Sequence, residues 1–600
     1  MIREARALDS GLLSRCAPLS AALAAAAAGL DPPLLAAIAA EADARGVLSP
    51  ELPGAVYERE RAVDRGERRA AAIYYTPPHL VDFAVERALE PLCGERERDP
   101  LGLRVLDPAC GGGAFLLAAL RAVEERVGRG RRRAILGCLS GIDIDPQAAA
   151  VCRLALALAV PDATAEELAR AVRVGDALAA DSAPAAGFDA VVTNPPWGQK
   201  RFRLSAEERR RYRAAFASAR GAIDPFALFV ERAQTLLAPG GRWGMVLPDV
   251  ILLKNHEPLR RLLVEGSALE WIAHAGRAFP AVNLDAVVMV GRGPGAAPPG
   301  HRVSIWLTLP PDWRERPPPT RRQAQSVFGR LPGCCLNLHL GAPDLALLDR
   351  LAALPRVGDR FEIHEGVHSG NARAKLFLPA SAAGEAARRG ARLGRLVVGR
   401  GEVRRYAVAW AGGWIDLAPG AIDRAAGDYA NLGRLEWHRR AKILVRRTGD
   451  HLVAAHEPDG LHASNNLFLV LPRARSSAAA LRAAVAVLNS RLLTWCFRAM
   501  VPRVGRLFAE LKIQHLAALP HPPDAAWTPS AIAELDRLAR RRAAAAPGPD
   551  AAELDRLIDE RVESLCGLTP AERRHLAGRA AGAGEGARNR APRKVLRSGP

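Results

Sequence analysis

Lysine is scarce in this 600-residue chain: Lys200, Lys254, Lys375, Lys442, Lys512 and Lys594 stand in a total of 84 basic residues. Arginine therefore carries nearly all of the positive charge, in an Ala-, Gly- and Pro-rich setting that suggests a GC-rich coding sequence. Codon bias does not explain why bases outnumber acids. The 64 acidic residues leave a net charge of +20 and a pI near 10.4, which favours a polyanionic partner. The nine cysteines, Cys16, Cys93, Cys110, Cys138, Cys152, Cys334, Cys335, Cys496 and Cys566, are odd in number and scattered. They form no CxxC pair, so neither a disulfide framework nor a zinc site is indicated, and a reducing cytoplasm fits. No run approaches the ~20 apolar residues of a membrane span. The apolar stretch Ala17 to Leu30 shows no cleavage region before Asp31-Pro32-Pro33 and reads as a short helix, not an export signal. A GxxxxGK[ST] loop is missing, which excludes a built-in translocating ATPase.

Strand ends, by contrast, are heavily marked. The apolar run Phe188-Asp189-Ala190-Val191-Val192-Thr193 reads as a buried parallel strand, and it closes on Asn194-Pro195-Pro196-Trp197. Pro195 fixes its own φ, and Pro196 keeps it extended. An Asn amide, a backbone carbonyl and an indole face are thus held at a strand's carboxyl end, the edge at which open α/β sheets bind ligands. Two acceptor oxygens beside an aromatic plate suit an exocyclic amino group on a flat heteroaromatic base. Upstream, Val105-Leu106-Asp107-Pro108-Ala109-Cys110-Gly111-Gly112-Gly113-Ala114-Phe115 reads as strand, Gly-rich turn and helix. The turn is not GxGxxG. A second strand, from Ala134, is expected to end at Asp143, where a ribose diol is commonly held. A third ends at Val174-Gly175-Asp176, suited to an adenine amino group. Three strand-end carboxylates followed by the tetrad describe a nucleoside-sulfonium site facing an acceptor-base site.

In this order the motifs resemble those of adenine-N6 DNA methyltransferases of the TaqI-like class. Tyr74-Tyr75-Thr76-Pro77-Pro78-His79 resembles the class's N-terminal cofactor motif. Asp224-Pro225-Phe226, Leu236-Leu237-Ala238-Pro239-Gly240-Gly241, Gly244-Met245-Val246-Leu247-Pro248 and Ala278-Phe279-Pro280 follow in class order. Glu365-Gly366-Val367-His368-Ser369-Gly370-Asn371 is similar to the opening of a target-recognition domain, and Leu488-Asn489-Ser490-Arg491 continues it. The resemblance implies S-adenosyl-L-methionine as cofactor, bound by Tyr75, Thr76, Asp107, Ala109, Gly111, Gly113, Asp143 and Asp176. It implies Asn194, Pro195, Pro196 and Trp197 as the catalytic tetrad, with Phe279 as a second aromatic wall, and no metal. Double-stranded DNA is the implied partner, joined by a separate restriction endonuclease or defence subunit where one exists. Too few residues precede Tyr74 for the nuclease domain of single-chain restriction enzymes, and the only (D/E)xK triplet, Glu510-Leu511-Lys512, reads as chance. A methylase acting on RNA or on a protein glutamine, a DNA-binding subunit needing a partner, and N4-cytosine methylation are the alternatives.

The expected architecture is α/β: a Rossmann-like doubly wound methyltransferase domain, a C-terminal mixed α+β target-recognition domain, and helical extensions. Residues 1–66 read as a helical extension, 67–300 as the catalytic domain, 301–344 as a Pro- and charge-rich linker around Trp313, and 345–525 as the recognition domain. Residues 526–582 return to helix, and 583–600 read as a disordered basic tail.

Overall fold

The computed structural model describes residues 21–63, 76–94, 99–179, 185–198, 204–221, 223–253, 256–279, 285–316, 321–399, 401–449, 451–500 and 509–588. The chain divides into two compact units, Met1–His339 and Leu340–Pro600.

The first unit is built on a nine-stranded sheet. Its strands are β1 (Val105–Asp107), β2 (Leu139–Asp143), β3 (Val172–Val174), β4 (Phe188–Thr193), β5 (Leu237–Pro248), β6 (Ala268–Gly276), β7 (Ala286–Arg292), β8 (Arg302–Trp306) and β9 (Arg322–Ala324). They lie in the order β3-β2-β1-β4-β5-β7-β6-β8-β9. The pairs β3–β2, β2–β1, β1–β4 and β4–β5 are parallel, and β7 runs antiparallel between β5 and β6. The order reverses between β1 and β4, which makes their carboxyl ends the topological switch point of the sheet. All six residues of β4 are buried, as a parallel strand covered on both faces requires. Helix Pro78–Cys93 covers one face with Leu80, Val81, Phe83, Ala84, Val85, Ala88, Leu89 and Leu92, each such large apolar side chain contributing about 1.5–3 kcal/mol by leaving water.

Three expectations change here. The second strand starts at Leu139, because Arg132–Leu136 is helical and the chain turns at Gly137 before extending. Residues 301–344 do not form a linker: β8 and β9 extend the sheet, and Trp313 is 3% exposed against the edge of Phe83, its indole N–H donating to the His79 carbonyl at 3.2 Å. Prolines and charges disguised a segment that adds two strands and buries both Trp313 and Phe328. The presumed tail begins inside helix Pro570–Arg588, and residues 589–600 lie outside the described residues.

The N-terminal helices Ala21–Ala27, Pro32–Arg45 and Leu52–Val63 belong to the first unit. Ala26, Leu30, Ile38, Val56 and Tyr57 share a core with Val151 and Leu154 of helix Pro146–Ala159. Among the described residues no helix is long and apolar enough to cross a membrane.

The second unit has a four-stranded antiparallel sheet, ordered Phe361–Glu365, Leu467–Pro472, Lys442–Arg446 and Ala454–Glu457. A smaller sheet contains Leu393–Val397, Trp414–Asp416, Phe377–Leu378 and His462–Ala463. Helices Ala478–Asn489, Arg491–Met500, Pro529–Ala544 and Pro549–Leu565 pack with the larger sheet around Phe468, Val470, Leu492, Phe497 and Ile558.

Candidate active site at the carboxyl edge of the sheet

Three strand ends meet through backbone amides. Asp143, closing β2, accepts from the Gly111 amide on Oδ2 and from the Asp145 amide on Oδ1, both at 2.9 Å. The Gly175 amide donates to the Asp143 carbonyl, tying the end of β3 to that of β2. Asp176 turns its own chain, its Oδ1 accepting from the Leu178 amide at 2.9 Å. The expected strand-end carboxylates therefore also serve as local braces, a role that Asp readily takes beside free backbone N–H groups.

Asp107 differs. Its Oδ1 accepts from the Ala109 amide at 3.1 Å, while Oδ2 is buried with the Thr193 side chain nearby but outside good hydrogen-bond geometry. Burial pushes this carboxyl up to about 7, and the nearby Asp143 charge adds to the effect. Desolvation at a strand end favours the neutral acid, and a nearby cation would restore the charged form. The turn itself requires glycine at two places. Gly111 and Gly113 have φ of 48° and 90°, and a Cβ on Gly113 would stand 3.0 Å from the Cys152 sulfur. Gly112 is set back to back with Gly54 of helix Leu52–Val63, where a Cβ on Gly112 would approach the Gly54 Cα to 2.4 Å. Tyr57 of the same helix donates to Asp145 Oδ2 at 2.8 Å. The N-terminal helices thus support the turn from behind, which the residue pattern did not disclose.

At the neighbouring strand end, the Asn194 Nδ2 donates to the Thr76 hydroxyl at 2.9 Å. This bond fixes the amide's orientation and leaves Asn194 Oδ1 buried and without a partner. A buried acceptor with no donor costs about 1–3 kcal/mol. Trp197 is 6% exposed and meets Phe279, 2% exposed, edge to face at 5.0 Å and 86°. Phe279, expected as a second aromatic wall, does lie beside the tetrad. Tyr75 and the segment 280–284 lie outside the described residues.

Asp224 belongs to a class-order motif but is not among the predicted site residues. Its Oδ1 accepts from the Gly198 amide at 3.1 Å, which pins the chain immediately after Trp197. Burial raises its carboxyl to about 6. An Asp-Pro pair signals a helix start; nothing in the sequence signals that this one holds a loop far upstream.

Residues 53–291 match the N-6 DNA Methylase family, and residues 395–520 match the TaqI-like C-terminal specificity domain. The chain is 28% identical over 255 residues to the Type II methyltransferase M.TthHB8I of Thermus thermophilus, covering 40% of this chain and 50% of that one. It is 22% identical over 274 residues to the Type II restriction enzyme and methyltransferase RM.Eco57I of Escherichia coli, covering 37% and 27%. The chain spans half or less of the length of these curated relatives. Its fold is similar to that of the Type IIL restriction-modification enzyme MmeI solved in complex with DNA, with a TM-score of 0.57 at 13% identity over 88% of this chain and 80% of that one. The chain thus pairs a region that matches the N-6 DNA Methylase family, residues 53–291, with one that matches the TaqI-like C-terminal specificity domain, residues 395–520.

Proposed function

We propose that this protein is a sequence-specific DNA methyltransferase that transfers a methyl group from S-adenosyl-L-methionine to the N6 amino group of an adenine, within restriction-modification or phage defence. The carrying observation is the buried, unpartnered Asn194 Oδ1, oriented by Thr76, at the switch point of a methylase sheet.

The residues present suit the cofactor. Asp107 Oδ2 is a buried carboxylate oxygen with no well-formed hydrogen bond, and glycines at 111 and 113 keep side chains off the adjoining turn. Asp107, Ala109, Gly111 and Gly113 would hold the methionine portion, Asp143 the ribose and Asp176 the adenine. When bound, the cofactor supplies an electrophilic methyl group.

The chain's own residues would prepare the nucleophile. The lone pair of an adenine amino group is delocalised into the ring and reacts poorly. Hydrogen bonds donated by that group to Asn194 Oδ1 and to the Pro195 carbonyl favour a pyramidal nitrogen and return the lone pair to it. Pro196 keeps both acceptors in one rigid turn. Extruding the base costs a few kcal/mol; stacking on Trp197 offsets about 1–3 kcal/mol of that. Orientation supplies most of the acceleration, with no dedicated base. The specificity domain favours DNA over RNA or a protein glutamine as substrate.

Single-molecule sequencing of DNA from a methylation-free host tests this reading. Expression should place N6-methyladenine at one recurring motif, and Asn194→Ala should abolish it while leaving cofactor affinity within about twofold. Unmodified DNA from soluble, cofactor-binding protein would overturn the proposal, and loss of cofactor binding in Asn194→Ala would reassign Asn194.

A further inference from the structure

The catalytic tetrad is followed in the chain by helix Ala206–Ala215, with sequence AEERRRYRAA. Ser205 caps it in a capping box with Glu208, whose carboxylate accepts from the Ser205 amide at 2.7 Å. Tyr212, 4% exposed, is the one buried residue of this helix. Its ring lies 6.0 Å from that of Phe216, and Asp176 is near enough for its charge to act on both Tyr212 and Arg211. The helix is therefore moored by Tyr212 beside the strand-end carboxylate assigned above to the cofactor's adenine.

At about 100° per residue, Arg209, Arg213 and Arg210 form one continuous flank that begins beside Tyr212 and runs round to the opposite side of the helix, with Arg209 and Arg213 a turn, ~6 Å, apart. Arg211 falls on the other flank, where its guanidinium lies 5.2 Å from the Tyr212 ring centre, on the side of Glu207 and Glu208. Arg209, Arg210 and Arg213 are exposed, and among the described residues none of them forms an ion pair. Other exposed helical arginines do: Arg45 with Glu41, Arg261 with Glu257 and Glu265, Arg389 with Glu385, and Arg556 with Glu553 and Glu560. Unpaired exposed arginines also occur on helix Pro529–Ala544 (Arg537, Arg540 and Arg541), so the cluster at 209–213 is distinguished by its place after the tetrad in the chain. Lys200, Arg201 and Arg203 precede it in the sequence.

We infer that Arg209, Arg210 and Arg213 form a clamp for the phosphate backbone of duplex DNA flanking the target base. The inference rests on the methyltransferase reading for its substrate. Three exposed guanidiniums on one flank neutralise successive phosphates without reading sequence, and each neutralised phosphate releases condensed counterions. Carried on the helix that follows the tetrad in the chain, they would hold the duplex while the base is extruded.

The test measures binding of a mixed-sequence 40-base-pair duplex to the full-length protein, by fluorescence anisotropy from 50 to 200 mM salt. Each of Arg209→Gln, Arg210→Gln and Arg213→Gln should reduce the slope of log K against log salt by about 0.9, and the triple variant by about 2–3. S-adenosylmethionine affinity, measured by calorimetry, should stay unchanged, which also reports an intact fold. Arg261→Gln, a paired surface arginine, should leave the slope unaltered. A parental slope in the triple variant, or a loss confined to an RNA duplex of the same length, would overturn the clamp. If the parent methylates no motif yet the slope still falls, the clamp stands and the methyltransferase reading fails. If methylation proceeds with the slope unchanged, the clamp alone fails.

Discussion

Asp107 is a single side chain whose burial opposes folding. Its carboxyl is pushed up to about 7 from an ordinary 3.8, chiefly by burial. The folded protein therefore keeps this proton at pH values where the unfolded chain has lost it. Between about pH 4 and pH 7 the stability of the free protein should fall as pH rises, by on the order of 1.4 kcal/mol per unit from this group, with the deficit complete above pH 7. Asp107→Asn should remove that slope and raise the melting temperature at pH 8, while weakening cofactor binding by an order of magnitude or more. Thermal melts and calorimetric titrations across pH 5–8 check both halves. An Asn variant no more stable than the parent at pH 8 would show that the carboxylate is not held desolvated. Binding of a cationic ligand at pH 6 should also release a proton from the parent, visible as a buffer-dependent heat.

At the scale of elements, the site depends on a helix that carries none of its chemistry. Helix Leu52–Val63 stands behind the Gly-rich turn, and a Cβ on Gly54 would lie 2.9 Å from the Gly112 carbonyl oxygen. Backbone on both sides leaves no flexible side chain to yield, so Gly54→Ala must push the turn forward. The expected cost is about 1–3 kcal/mol of stability, with cofactor affinity falling further than stability alone explains. Urea melts read beside calorimetry separate the two effects; unchanged affinity would mean that the turn absorbs the shift away from the ligand. The Trp197–Phe279 corner makes a related point, because two nearly covered rings must part before a base can stack on the indole.

Over the whole molecule, each unit carries its own core, and the second holds a charge pair with almost no solvent around it. Lys442 is fully buried and Glu457 is 1% exposed; the ammonium donates to the Glu457 carboxylate and to the carbonyls of His438 and Arg440. Glu457→Gln would leave the ammonium without its counter-charge, at about 3–5 kcal/mol. Its effect should be confined to the specificity unit: a lower melting transition for that unit, reduced methylation, and cofactor binding by the first unit unchanged. Equal loss of cofactor binding would show that the two units unfold together.

What the sequence determined by itself was local and periodic. The parallel sheet was legible because buried strands such as Phe188–Thr193 must be apolar throughout, and the strand-end positions of Asp107 and Asp143 because such ends carry their signature beside glycine and proline. Tertiary structure decided the rest, since long-range partners leave no local trace. It set Thr76 against Asn194, fixing which end of the amide is free, and Asp224 against Gly198. It packed Gly54 on Gly112 and drew Trp313 into the first unit, where a Pro- and charge-rich stretch had read as a linker. Periodicity reports which face of an element is buried, but not which other element covers it.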